Sequence, residues 1–261
     1  MRRRLTVLAI AVGGGVLTVG VVIALAAPGP RYPNFVAVVP HHFTVQNSQQ
    51  QEFLRFSNGV ANVGDGPFRI RPENVGGVTH GIQEVLDENG NIAFSADVSQ
   101  FLFHPAHNHW HINAVALFAL HKGLDDGTGG VMETTPVGGT ALKTTFCLID
   151  WIKLDGNSPN NERAFTDCKP DAPQGISVGW VDQYHHALEG QEVEMTGVAP
   201  GVYYFVTTAN PDNNFLETNH TDNVAWASFR LSRNSNGNPK IAEISHSACS
   251  GSLCGDDLPN R

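Results

Sequence analysis

Gln191-Glu192-Val193-Glu194-Met195-Thr196-Gly197-Val198-Ala199-Pro200-Gly201-Val202-Tyr203-Tyr204-Phe205-Val206-Thr207-Thr208 reads as two extended arms about a turn. Val, Thr, Tyr and Phe suit a pleated, half-buried surface, and Ala199-Pro200-Gly201 is turn chemistry. The arms predict strands over Gln191 to Thr196 and Val202 to Thr208. Working outward, the same vocabulary predicts strands over Gln51 to Val60, Phe68 to Arg71, Ile92 to Ser95, Trp110 to Leu120, Thr144 to Trp151 and Val224 to Leu231. Turn signals such as Asn62-Val63-Gly64-Asp65-Gly66, Glu88-Asn89-Gly90-Asn91 and Asp125-Asp126-Gly127 lie between them. No internal repeat is found, and no helical stripe beyond about two turns follows the N-terminal segment. The expected fold is all-β: one antiparallel, sandwich-like domain with long irregular loops over residues 31–233. Residues 234–261 read as a polar, irregular extension closed by a small Cys249–Cys254 loop.

The 261 residues are 41% hydrophobic and 16% charged, enough for one sizeable core and too apolar for a disordered chain. Met1-Arg2-Arg3-Arg4 precedes an apolar or small-residue run from Leu5 to Ala27, and Pro28-Gly29-Pro30 follows it. This has the form of an export helix, a signal peptide or signal anchor over residues 1–30. As a helix the run rises ~35 Å, enough to span a bilayer, while Ala24-Leu25-Ala26 offers a cleavage pattern. Under either reading the remainder is exported, secreted or held at the outer face of the cytoplasmic membrane, where disulfides persist. Without Arg2, Arg3 and Arg4 the net charge falls from −9 to about −12. Such a surface disfavours nucleic acid and anionic membranes and attracts cationic partners.

Four of the twelve histidines fall within Phe103-His104-Pro105-Ala106-His107-Asn108-His109-Trp110-His111. In an extended strand His107, His109 and His111 share a face, ~6.5–7 Å apart in sequence along the backbone. Three imidazoles so placed suit one metal ion if the strand twists or bulges, and zinc, copper and nickel all accept such ligands. His104 is out of phase with the triplet and reads as a supporting or structural residue.

Lys143-Thr144-Thr145-Phe146-Cys147-Leu148-Ile149-Asp150 and Gln174-Gly175-Ile176-Ser177-Val178-Gly179-Trp180-Val181-Asp182-Gln183-Tyr184 follow. With the His-x-His-x-His strand, with Arg55 to Gly64 upstream, and with Gly190-Gln191, Gly201 to Tyr204 and Glu217 to Val224 downstream, they resemble the lysyl oxidase family in order and spacing. The resemblance implies a copper amine oxidase with a self-derived lysine tyrosylquinone. Carried over, the copper(II) ligands are His107, His109 and His111, and the quinone joins Lys143 to Tyr184. It implies oxidative deamination of primary amines, lysyl side chains or small amines such as polyamines, to aldehydes, with dioxygen consumed and ammonia and hydrogen peroxide released. A neutral lysine amine is a nucleophile able to attack an oxidised tyrosine ring, so lysine, tyrosine and metal must meet.

Asp182, two residues from Tyr184 and on its face if the segment is extended, is the leading candidate base; His104, His185 and His186 compete. Cys147 and Cys168 read as a bridge or as two buried thiols, and Pro105-Ala106 stands where cysteine-rich animal members anchor the metal strand. Glu217, Asn219, Asp222 and Asn223 form an oxygen-rich turn that reads either as hydrogen-bonded or as a calcium site, which animal-type members have nearby. Two other functions fit parts of the pattern: a non-catalytic exported copper- or zinc-binding protein, and a three-histidine zinc hydrolase. Neither uses Lys143 and Tyr184.

Overall fold

Phe56, Phe118, Phe205 and Phe229, each fully buried, mark where the two halves of the chain meet. The computed structural model describes residues 28–105, 108–122, 137, 142–154, 162–169 and 171–255, with Leu142 and Lys143 placed by backbone alone. The described strands are β1 (Pro30–Arg31), β2 (Phe35–Ala37), β3 (His41–Ser48), β4 (Gln51–Asn62), β5 (Phe68–Val75), β6 (Val78–Asp87), β7 (Ile92–His104) and β8 (His109–Lys122). Then come β9 (Leu142–Phe146), β10 (Ile152–Lys153), β11 (Gln174–Ile176), β12 (Trp180–Tyr184), β13 (Glu192–Glu194), β14 (Gly201–Ala209), β15 (Val224–Arg233) and β16 (Pro239–His246). One 3-10 turn, Gly251–Cys254, is the helical element among the described residues. No described helix is long and apolar enough to cross a membrane.

The larger sheet runs β11-β5-β6-β7-β8-β14-β15-β16, with β1 on β6 and β9 on β8; the smaller runs β10-β12-β4-β13, with β2 and β3 also on β4. Representative pairings are antiparallel, as in β8 with β14 and β4 with β12. The sheets pack through rings: Phe56 on β4 lies 4.7 Å from Phe118 on β8 and 4.3 Å from Phe205 on β14. Phe43 on β3 meets Phe205 and Phe229 at 5.6 and 5.7 Å. Each buried phenylalanine contributes ~1.5–3 kcal/mol of apolar burial. This is the all-β, sandwich-like domain expected from the sequence.

Several boundaries differ from the sequence reading. β7 runs on to His104, well past Ser95, because the small and polar residues Ala96, Asp97, Ser99 and Gln100 interrupt the apolar pattern there. The expected strand from Thr144 to Trp151 breaks after Phe146. There Leu148 N donates to the Gln174 side chain and Asp150 N to Phe165 O, so the backbone leaves the ladder for loop partners. The C-terminal extension is not irregular throughout: Pro239–His246 pairs with β15 over Ala227 to Arg233. The Cys249–Cys254 bridge closes the small loop as expected.

Two buried polar side chains fix the loops around the site. Asp150 accepts from Ala164 N, Phe165 N, Ser177 N and Ser177 Oγ at 2.7–3.1 Å, joining three chain segments at one carboxylate. Gln174 donates to Trp110 O at 2.8 Å while accepting from Leu148 N, so β8 is held to the segment that follows β9. Gly175 is required beside it, because a Cβ there would collide with Phe68 O.

Candidate active site

The β7–β8 hairpin pairs His104 with His109. His109 and His111, two residues apart, face the same side of β8, and their Nε2 atoms lie 2.9 Å apart. His111 Nδ1 hydrogen-bonds Thr145 Oγ1 at 3.1 Å, which leaves Nε2 of that ring for the other histidine's side. His104 stacks on His111 with centroids 4.8 Å apart, so it supports the ring it was out of phase with in sequence. His107 lies outside the described residues.

β9 lies beside this strand. The Lys143 backbone pairs with Leu117 and Phe146 pairs with Ile112, which brings Thr145 within reach of His111. The next residue, Cys147, is bonded to Cys168, and Trp110 N donates to Cys168 O at 3.3 Å. The disulfide thus ties the Lys143 segment to the histidine strand.

The opposite wall comes from the smaller sheet. Tyr184 on β12 stacks on Phe146 with centroids 4.1 Å apart and donates its phenol proton to Cys147 O at 2.7 Å. Asp182, on the same face, is buried and hydrogen-bonds with Tyr184 and Ile149 N. Burial pushes the Asp182 carboxyl well above the usual carboxylate range; the nearby Asp150 charge adds to this and the two hydrogen bonds oppose it. Burial, then the Asp182 charge, pushes the Tyr184 phenol well up too. The walls border a half-open cavity of about 860 Å³ whose lining includes His104, His109, His111, Thr145, Asp182 and Tyr184.

Two imidazole nitrogens 2.9 Å apart on one strand face, one of them oriented by a threonine, fit two ligands of a single late transition-metal ion. The structure therefore brings together His109, His111, Asp182 and Tyr184, with the Lys143 backbone in the adjoining strand. Thr145 and Phe146 are part of the recognised motif, but their roles emerge only from the pairing register of β8 and β9.

The oxygen-rich turn lies apart from this cavity. Glu217 Oε2 accepts from Phe35 N at 2.8 Å, and Oε1 accepts from the Asn210 and Asn223 amides at 2.6 and 2.8 Å. Asn34 donates to Asp222 Oδ2 at 2.9 Å, and Asn219 Oδ1 accepts from Thr221. The turn is hydrogen-bonded, yet Asp222 Oδ1 and Asn223 Oδ1 are buried with no donor reaching them among the described residues. Spare buried oxygens beside a carboxylate fit a hard cation.

The lysyl oxidase family model matches residues 83–237, more than half of the chain, and the chain belongs to this family. It is 26% identical over 174 residues to lysyl oxidase homolog 4 of Mus musculus, covering 67% of this chain and 18% of the relative. It is 26% identical over 174 residues to lysyl oxidase homolog 2 of Homo sapiens, with the same coverages of 67% and 18%. Against lysyl oxidase homolog 2B of Danio rerio it is 29% identical over 141 residues, 53% of this chain and 17% of the relative. The chain thus spans under a fifth of the length of these relatives.

Proposed function

We propose that this chain oxidises primary amines to aldehydes with dioxygen, releasing ammonia and hydrogen peroxide. The observation that carries the reading is the convergence of His109, His111, Asp182 and Tyr184 on one cavity, in a chain of the lysyl oxidase family. His107, His109 and His111 would hold copper(II), and Lys143 with Tyr184 would form the lysine tyrosylquinone. Together these groups supply an electrophilic carbonyl toward amines and electron transfer to dioxygen.

The chain's own residues do the positioning and proton handling. Thr145 orients the His111 ring through its Nδ1. Phe146 and the Cys147 carbonyl hold the Tyr184 ring and hydroxyl beside the segment that carries Lys143. Asp182 is the base that takes a proton from the substrate carbon next to nitrogen. Its buried Oδ2, which no hydrogen-bond donor reaches among the described residues, has a lone pair available for that proton. Ile149, Trp151 and Phe146 contribute apolar surface to the cavity lining.

The substrate is a cationic amine, a lysyl side chain or a polyamine, drawn by the acidic surface. The two disulfides suit an exported chain, secreted or anchored by the N-terminal segment. Calcium, if bound, would be held by Glu217, Asn219, Asp222 and Asn223, fixing that turn. Peptide mapping of the full chain, matured with copper in air and compared with a copper-free preparation, tests the reading. A copper-dependent cross-link between the Lys143 and Tyr184 peptides is expected, with peroxide release on adding amine. Unmodified peptides in copper-loaded protein would mean a metal-binding relative without the oxidase cofactor.

A further inference from the structure

A second group of histidines gathers from distant parts of the sequence, on β3 and just beyond β12. His42, His185 and His186 are half-buried, and one ring nitrogen from each lies within 4.8 Å of the other two. Their rings also touch: His185 and His186 have centroids 4.0 Å apart, and His42 lies 6.2 and 6.1 Å from them.

We infer that His42, His185 and His186 form a second metal site, for a borderline divalent transition-metal ion such as zinc or copper. Three imidazoles on one tetrahedral ion, with bonds of ~2.0–2.1 Å, place their nitrogens ~3.3 Å apart. Small ring rotations close that distance from the observed one and leave a fourth position for water or an external ligand. Imidazole-only ligation selects zinc, copper or nickel over calcium or magnesium.

Three further observations support the assignment. His42 has a backbone φ of 51°, the left-handed region, and lies within the β3–β4 register shift between His41 and Thr44. A bulge of this kind re-aims a side chain, and a non-glycine residue held there bears local strain. His186 Nδ1 is buried, and no hydrogen-bond partner reaches it among the described residues. The adjacent His41 is already committed: Nδ1 donates to Val39 O at 2.8 Å, so Nε2 is left to accept from the Gln183 amide at 3.2 Å. One bond opposes the site: Ala187 N donates to His185 Nδ1 at 3.2 Å. Coordination through either nitrogen of His185 gives that bond up, since Nδ1 becomes the ligand or becomes N–H. Arg55 is also close, donating to His186 O at 2.6 Å, but its charge is paired with Glu192.

None of the three holds copper, forms the quinone or is the proposed base, although His185 also lines the cavity, so the site stands or falls without that reading. The test is the zinc content of the full chain, stripped with chelator, reloaded with zinc alone, desalted and measured by mass spectrometry. Two zinc ions per chain are expected. Changing His109→Ala and His111→Ala together should leave one, and that one should vanish when His42→Asn or His186→Gln is added. Asparagine tolerates left-handed backbone, so His42→Asn spares the fold, and near-UV circular dichroism checks each variant. A His109→Ala/His111→Ala chain that keeps no zinc overturns the inference. So does a chain that still keeps two after His42→Asn or His186→Gln. In the His109→Ala/His111→Ala chain loaded with cobalt, visible d–d absorption should likewise be present and be abolished by His42→Asn; its persistence overturns the inference even if zinc counts are ambiguous.

Discussion

The phenol of Tyr184 donates to the carbonyl of Cys147 at 2.7 Å, joining the smaller sheet to the disulfide-anchored end of the Lys143 segment. The ring next to it, Phe146, stacks on the tyrosine, so two contacts from consecutive residues hold the aromatic group. On the proposed function, in which this tyrosine is oxidised and then attacked by Lys143, such confinement favours the reaction.

Replacing Phe146 with alanine removes the stacked ring while leaving Cys147 in place. Cross-link yield at Lys143–Tyr184 should fall severalfold at constant copper content, read by peptide mapping. An unchanged yield would show that the ring is packing only.

Thr145→Val deletes the hydrogen bond to His111 Nδ1 with little change in shape. Loss of such an orienting partner weakens metal binding by ~10–100-fold. Competition titration with a copper chelator measures it, and an affinity equal to wild type would remove Thr145 from the site.

Asp182→Asn should lower amine turnover by ~10²–10⁴, the range for a lost general base, with copper content retained. It also has a stability signature. The folded carboxyl lies above its ordinary value of 3.8, so the folded state holds the proton more tightly than the unfolded chain. That contribution is full below the unfolded value and is lost as pH rises through the folded one. Wild type should therefore lose stability relative to Asp182→Asn over that rise, seen as a change in the midpoint difference in the variant's favour. A difference independent of pH would refute the raised value.

The Cys147–Cys168 bridge spans 21 residues of sequence. Closing a loop of that size stabilises by ~3 kcal/mol. The paired Cys147→Ser and Cys168→Ser change should cost about that much in denaturant unfolding and lower cross-link yield as well. Full yield without the bridge would separate stability from cofactor assembly.

Phe56→Ala empties the junction between the sheets, where Phe118 and Phe205 both touch the lost ring. The expected cost is ~3–5 kcal/mol, measured by urea unfolding. A loss under 1 kcal/mol would mean that the junction collapses to fill the space.

Strands such as Gln51–Asn62 and Gly201–Ala209 are visible in the sequence because they are deeply buried and carry apolar and aromatic residues such as Phe53, Leu54, Phe56, Tyr203 and Phe205. Val78–Asp87 and Pro239–His246 are not, because they are held by backbone ladders and carry polar residues along much of their length. His109 and His111 are legible because alternation alone puts them on one face. Asp182 and Tyr184 enter through the family motif, and Thr145 through strand pairing that spacing does not encode. The meeting of His42 with His185 and His186 is created by β3 and β12 both pairing to β4, a relationship between segments about 140 residues apart.

The site is assembled from two sheets: His109, His111 and Thr145 arrive on one, Asp182 and Tyr184 on the other. Chemistry at the cavity therefore depends on how the sandwich is closed as well as on which side chains it contains. A slight slip between the layers would separate His109 and His111 from Tyr184 while each layer kept its hydrogen-bonded ladder. On the proposed function, cofactor maturation would then fail at temperatures where the strands are still folded, and a chain could be native by its backbone yet never become competent.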